Sequence, residues 1–150
     1  MKNHKNDIYY TASLLEFLAR RTKNRRADLA RMLGKEGISA LYHYADVNHC
    51  LPFEQVADEL IETYSISEGT YFPEAIFRMP GAAAPSPRQI GKSYANLVCD
   101  IQADPEQYPA TLYDVLCSKI SEWMTDYRSA FYYSPRDYLL YRWELLKNAG

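Results

Sequence analysis

The chain has 150 residues, 47% of them hydrophobic and 24% charged, with 17 basic and 19 acidic side chains and a net charge of −2. That apolar share is enough for one folded core and excludes wholesale disorder. The near-neutral balance excludes a global attraction to nucleic acid or an anionic membrane, so any such contact needs a local patch.

Helical periodicity dominates from the start. Residues 8–22 place Ile8, Ala12, Leu15, Leu18 and Ala19 on one face, widened by Leu14 and Phe17, which predicts a largely buried helix. Asn24 is the expected cap of a second helix carrying Leu29, Met32 and Leu33 and ended by Gly34, while Ile38, Leu41, Tyr42 and Ala45 mark a third. Pro52 suits the first position of a fourth, whose stripe is Phe53, Val56, Ala57, Leu60, Ile61 and Tyr64.

Residues 65–85 are dense in proline and glycine, which no long helix survives. Tyr71, Phe72, Ile76 and Phe77 are too apolar for a free linker, so this segment is expected to lie as a strap against the core. The tripeptide Ser-Pro-Arg then occurs at 86–88 and again at 134–136. Each copy reads as a helix start, with Ser86 or Ser134 as the cap, the proline in the first turn, and Gln89 or Asp137 three residues on. Leu139, Leu145 and Leu146 supply the inward stripe of the last helix. Between the two copies, Asp104-Pro105-Glu106 marks a turn. Residues 112–127 give the cleanest amphipathic run, Leu112, Val115, Leu116, Ile120, Trp123, Met124 and Tyr127, a helix expected to be central to the second half.

The whole predicts an all-α fold, a single compact domain of about seven helices. Its N-terminal half spans 7–64, the strap 65–85 and the C-terminal half 86–148. No stretch of 18 apolar residues predicts a membrane span, and residues 1–7 lack the apolar run of a secretion signal. Cys50, Cys99 and Cys117, odd in number and widely spaced, read as buried thiols of a cytoplasmic protein.

Catalytic chemistry has little support. Gly91-Lys92-Ser93 lacks the upstream glycine of a phosphate loop and falls inside a helix, where it reads as a helix surface with one small residue. His43, His49 and Cys50 lack the second ligand pair of a closed zinc site, and no glycine-rich elbow accompanies a Cys/His pair. No catalytic, cofactor or metal residue is therefore assigned, and the expectation is a non-enzyme.

Two features stand out. Residues 20–35 hold seven basic side chains and one acidic, a local charge of +6 that leaves −8 on the rest. Arg20, Arg21, Lys23, Arg25, Arg26 and Arg31 are the candidate nucleic-acid contacts. The segment 27–34 resembles the first helix and turn of a helix-turn-helix, although the inward positions six and nine residues past the glycine would be Ala40 and His43, a poor fit. The second feature is tyrosine, 14 residues of 150, eight of them from Tyr94 onward. Tyr132, Tyr133, Tyr138 and Tyr141 crowd one corner and helix and cannot all point inward, so they are the candidate partner-binding set.

Three stretches, ARRTKN at 19–24, LYHYADVNHC at 41–50 and IGKSY at 90–94, resemble small bacterial helical proteins encoded beside ADP-ribosyltransferase-like toxin genes. The likeness covers roughly residues 8 to 100. It implies an antitoxin-like partner protein and supplies no site residues. The favoured expectation is a protein-interaction module binding another protein, such as a toxin or effector, in a bacterial cytosol; the alternative is a nucleic-acid-binding regulator using the basic corner.

Overall fold

Helix α1 (His4–Thr22) forms the centre of the molecule, which is described for residues 2–71, 84–125 and 131–149 of a computed structural model. Its start is capped by Asn3, whose side-chain oxygen accepts the Asn6 N–H at 3.0 Å. Its burial goes beyond the predicted stripe: Thr11, Ser13, Glu16 and Thr22 are buried alongside Ile8, Leu14, Leu15 and Leu18. The hydroxyls of Thr11, Ser13 and Thr22 each donate to the carbonyl four residues back, so a polar side chain is satisfied by its own helix while facing the core.

Helix α2 (Arg26–His43) follows after a turn in which Lys23 takes the left-handed conformation (φ 59°) that closes α1. The second and third predicted helices are one helix kinked at Gly34 (φ 72°, ψ 169°). A Cβ there would meet nothing within 4 Å, so the dihedral rather than space favours glycine. Asn24 does not cap α2. Arg25 holds that position without a side-chain bond, and the Asn24 amide instead donates to Thr22 Oγ1 and to the Ser67 carbonyl. The short α3 (Ala45–Asn48) and α4 (Phe53–Thr63) complete this side, with Pro52 in the cap position just before α4.

The start of the expected strap does lie on the core. Ile66 is buried, the Gly69 N–H donates to Thr22 O at 2.8 Å, the Tyr71 N–H to Lys23 O at 2.9 Å, and the Arg25 guanidinium sits 4.3 Å above the Tyr71 ring. Phe72, Ile76 and Phe77 lie outside the described residues, as does Tyr127.

Helix α5 (Pro87–Ile101) begins with the predicted capping box, Ser86 Oγ accepting the Gln89 N–H at 3.1 Å and Gln89 Oε1 accepting the Ser86 N–H at 2.7 Å. It packs antiparallel on α1 in the largest helix–helix contact of the fold. Gly91 is therefore not a surface residue: a Cβ there would lie 2.7 Å from the Ser13 nitrogen and Cα, so glycine is what lets the two backbones approach. A single 3-10 turn (Pro105–Gln107), capped by Asp104, leads into α6 (Tyr108–Leu116).

The run at 112–127 is not one helix. It breaks at Cys117, and Ser118 caps a new start for α7 (Lys119–Trp123) by accepting the Ile120 N–H. Leu112, Val115, Leu116, Ile120 and Met124 still reach the core, because the break preserves their inward direction. Helix α8 (Arg136–Asn148) then packs on α5. Its cap is displaced by one residue from the expected Ser134: Pro135 occupies the position without a side-chain bond, and Asp137 Oδ1 accepts the Tyr138 N–H.

The described residues thus form an all-α fold of eight α-helices and one 3-10 turn, with no strand among them. No helix of the described residues is long and apolar enough to cross a membrane. The thiols are more open than expected, Cys50 exposed and Cys99 and Cys117 half-buried. Burial still pushes the Cys117 thiol above its ordinary value, against the attraction of Arg31.

Candidate functional site

The basic corner is dispersed by the fold. Arg26 is in the core: its Nε and Nη2 donate to the two oxygens of buried Glu16 at 2.5 and 3.1 Å, and its Nη1 donates to Ser121 O at 2.9 Å and Thr125 Oγ1 at 2.7 Å. Arg20 reaches the same carboxylate through Nε at 2.9 Å and donates through Nη2 to the Pro85 carbonyl at 2.6 Å. Burial alone would raise the Glu16 pKa, but the charges and hydrogen bonds of Arg26, then Arg20, outweigh it and hold the carboxyl below its ordinary value. This pair of arginines is built into the packing of α1, α2 and α7.

Three other candidates are paired with carboxylates at the surface, while Arg25 stacks on Tyr71. Arg21 pairs with Asp58, Lys23 with Glu68 at 3.2 Å, and Arg31 with Asp28 at 3.5 Å. Arg25 and Arg31 nonetheless come together with Lys119 and Tyr71 around a cleft of about 300 Å³ at the start of α2. Beyond Gly34, the exposed side chains of α2 include Lys35, Glu36 and His43, a mixed set rather than a basic reading face.

The tyrosines behave differently. Along α8, Leu139 and Trp143 turn inward and Leu146 is half-buried. Leu145, expected inside, is 45% exposed; lying one turn from Tyr141 and two from Tyr138 places it on their face, and buried Trp143 takes the inward position instead. Tyr138 is 40% exposed, Tyr141 54% and Tyr133 60%, while Tyr132 is half-buried against the core. Phe131, Tyr138 and Tyr141 form a series, Phe131 to Tyr138 at 6.4 Å and Tyr138 to Tyr141 at 6.3 Å, and Tyr132 lies edge-on to Tyr133 at 4.8 Å. Arg142 holds this series in place. Its guanidinium lies 4.2 Å over the Trp123 ring and its Nη1 donates to the Tyr138 hydroxyl at 3.1 Å.

Sequence reasoning missed one further feature. Lys5, Asn6 and Tyr9 of α1, Lys92, Asn96 and Cys99 of α5, and Arg136 line a groove of about 340 Å³. The signal was present as two sets at helical spacing, but pairing them requires knowing that α1 and α5 run antiparallel. His43, His49 and Cys50 do not gather: His43 Nε2 faces Glu106 at 3.7 Å, whereas His49 Nε2 lies 3.8 Å from Cys50 Sγ. Among the described residues no three potential metal ligands converge.

Comparison of the chain with protein-family models, with curated proteins and with solved structures finds no match.

Proposed function

We propose that the chain is a non-enzymatic protein-interaction module of antitoxin or inhibitor type, which docks a partner protein in a bacterial cytosol through the outer face of α8. The observation that carries this reading is that α8 has two apolar faces. Leu139 and Trp143 bury one face, and Tyr138, Tyr141 and Leu145 leave a second exposed, extended by Tyr133. A helix that only completes a core needs the first. Exposed aromatic clusters mark interaction sites, because a rigid ring contributes much contact area at little entropic cost, on the order of 2 kcal/mol or more per anchor.

The test is replacement of Tyr138 and Tyr141 by Ala, with the candidate partner encoded next to this chain supplied as purified protein. The reading expects capture to weaken several hundredfold, two anchors of about 2 kcal/mol each at about 1.4 kcal/mol per factor of ten, with the melting temperature nearly unchanged. Unchanged capture by the folded variant would remove it.

A second reading, contact with nucleic acid, draws support from Arg25, Arg31 and Lys119 around one cleft. It expects retention of the wild type on DNA or RNA at low salt, lost in R25E/R31E and weakening steeply as salt rises. No retention of the wild type at low salt would eliminate it.

A further inference from the structure

We propose that the groove between α1 and α5 is a binding site for a small phosphate monoester, with the phosphate held by Lys5, Lys92 and Arg136 and the organic body laid on Tyr9 and Ala95. The framework is fixed. Contact of Arg20 with Pro85, the approach of Gly91 to Ser13, and the shared lining by Lys5 and Cys99 set α1 and α5 antiparallel. The groove thus sits on the most extensive helix pair of the fold, in the size range of small-molecule clefts, ~300–1,000 Å³.

Its charge is the deciding observation. The lining contains three cations and no carboxylate, in a chain whose net charge is −2. Two other clefts that hold cations also hold carboxylates: Asp28 and Glu122 stand beside Arg25, Arg31 and Lys119, and Asp7 and Asp46 beside Lys2 and Arg88. Neither Lys5 nor Lys92 has an ion pair among the described residues. Like charges converging on a partly enclosed groove are unfavourable unless an anion joins them.

Arg136 adds geometry. Its Nε and Nη2 donate to Asp100 at 3.1 and 2.7 Å, which fixes the guanidinium plane and leaves the Nη1 hydrogens for a ligand. A phosphate monoester carries nearly two negative charges at neutral pH, since its second pKa is about 6, and so complements two lysines better than a single carboxylate does. Tyr9 and Ala95 supply an apolar floor, and the amides of Asn6 and Asn96 can pair with polar atoms of the organic body. The site is independent of the aromatic face of α8 and of whichever partner that face holds.

The test is titration of the full chain, labelled with nitrogen-15, with adenosine 5′-monophosphate, inorganic phosphate and adenosine in turn. The nucleotide should shift the backbone amides of Tyr9, Ala95, Asn96 and Cys99. Inorganic phosphate and adenosine should each bind at least about tenfold more weakly, because each lacks one half of the recognition. In K5Q/K92Q, whose changes are both at exposed positions, affinity for the nucleotide should fall at least about tenfold, while K35Q leaves it unchanged. Absence of nucleotide-induced shifts, or shifts clustered away from the groove, would overturn the site without recourse to any variant. Equal affinity for phosphate and nucleotide would overturn the role given to Tyr9 and Ala95. An undiminished affinity in the double variant would overturn that of the lysines.

Discussion

Replacing Arg26 by Ala tests whether the basic corner belongs to the fold or to a ligand. The substitution removes two charge-assisted hydrogen bonds to Glu16 and two donors to α7 and the residues after it, Ser121 O and Thr125 Oγ1. Glu16 is left buried with Arg20 alone. Removing one member of a buried pair typically costs 3–5 kcal/mol, and the surviving Arg20 contact argues for the lower end, about 3 kcal/mol. Urea unfolding followed by the fluorescence of Trp123 and Trp143 measures this directly. The double replacement E16M/R26M should cost less than the two single changes summed, since it leaves no unpaired charge on Glu16 or Arg26 and returns apolar volume. The pH dependence follows from the same pair. Because the folded-state pKa of Glu16 lies below its unfolded value, the stabilisation is fully present above the ordinary carboxyl range and is lost as pH falls through the folded value. In R26A the acid-side loss should be smaller. A cost under about 1 kcal/mol for R26A, or strict additivity in the double variant, would refute the assignment of this pair to the core.

Two further substitutions check the helix assignments. Gly91→Ala gains about 1 kcal/mol of helix propensity but drives a methyl against the Ser13 backbone; overpacking of 1–3 kcal/mol outweighs the gain, so a lower urea midpoint is expected and a higher one would contradict the close crossing. Ser86→Ala breaks a complete capping box and should cost about 1 kcal/mol; an unchanged urea midpoint would contradict the box.

Local chemistry made part of this fold legible in the sequence. The Ser86–Gln89 box, the turn at Asp104-Pro105 and the breaking tendency of Gly34 depend on residues a few positions apart, and the structure has all three. The errors lie where distant packing decides. Asn24 is a good cap by type, but its amide is drawn off by Ser67, 43 residues away. The apolar run at 112–127 keeps helical spacing through Cys117, yet Ser118 restarts the helix because its hydroxyl competes for the Ile120 N–H. Ser134 has the right neighbours for a cap, and the proline after it takes the position instead.

The candidate sites divide along the same line. Composition alone reveals the tyrosine surplus, and helical spacing alone separates Tyr138 and Tyr141 from Leu139, so the outward face of α8 was readable; the exchange of Leu145 for Trp143 on the inner face was not, because a two-faced helix offers two apolar stripes and only the contact with α5 chooses between them. For charge, a count along the sequence points to the wrong place. Residues 20–35 hold the highest density of cations, but most of these are neutralised by carboxylates outside that window, Glu16, Asp58, Glu68 and Asp114, with Asp28 inside it facing Arg31. A cation already held by a carboxylate offers an incoming anion only the difference between two ion pairs, and in the buried case of Arg26 that difference opposes binding. Lys5 and Lys92, far apart in sequence, face no such competitor among the described residues, whereas Arg136, held by Asp100, offers an anion less. Available charge, rather than total charge, therefore shifts attention from the basic corner to the α1–α5 groove.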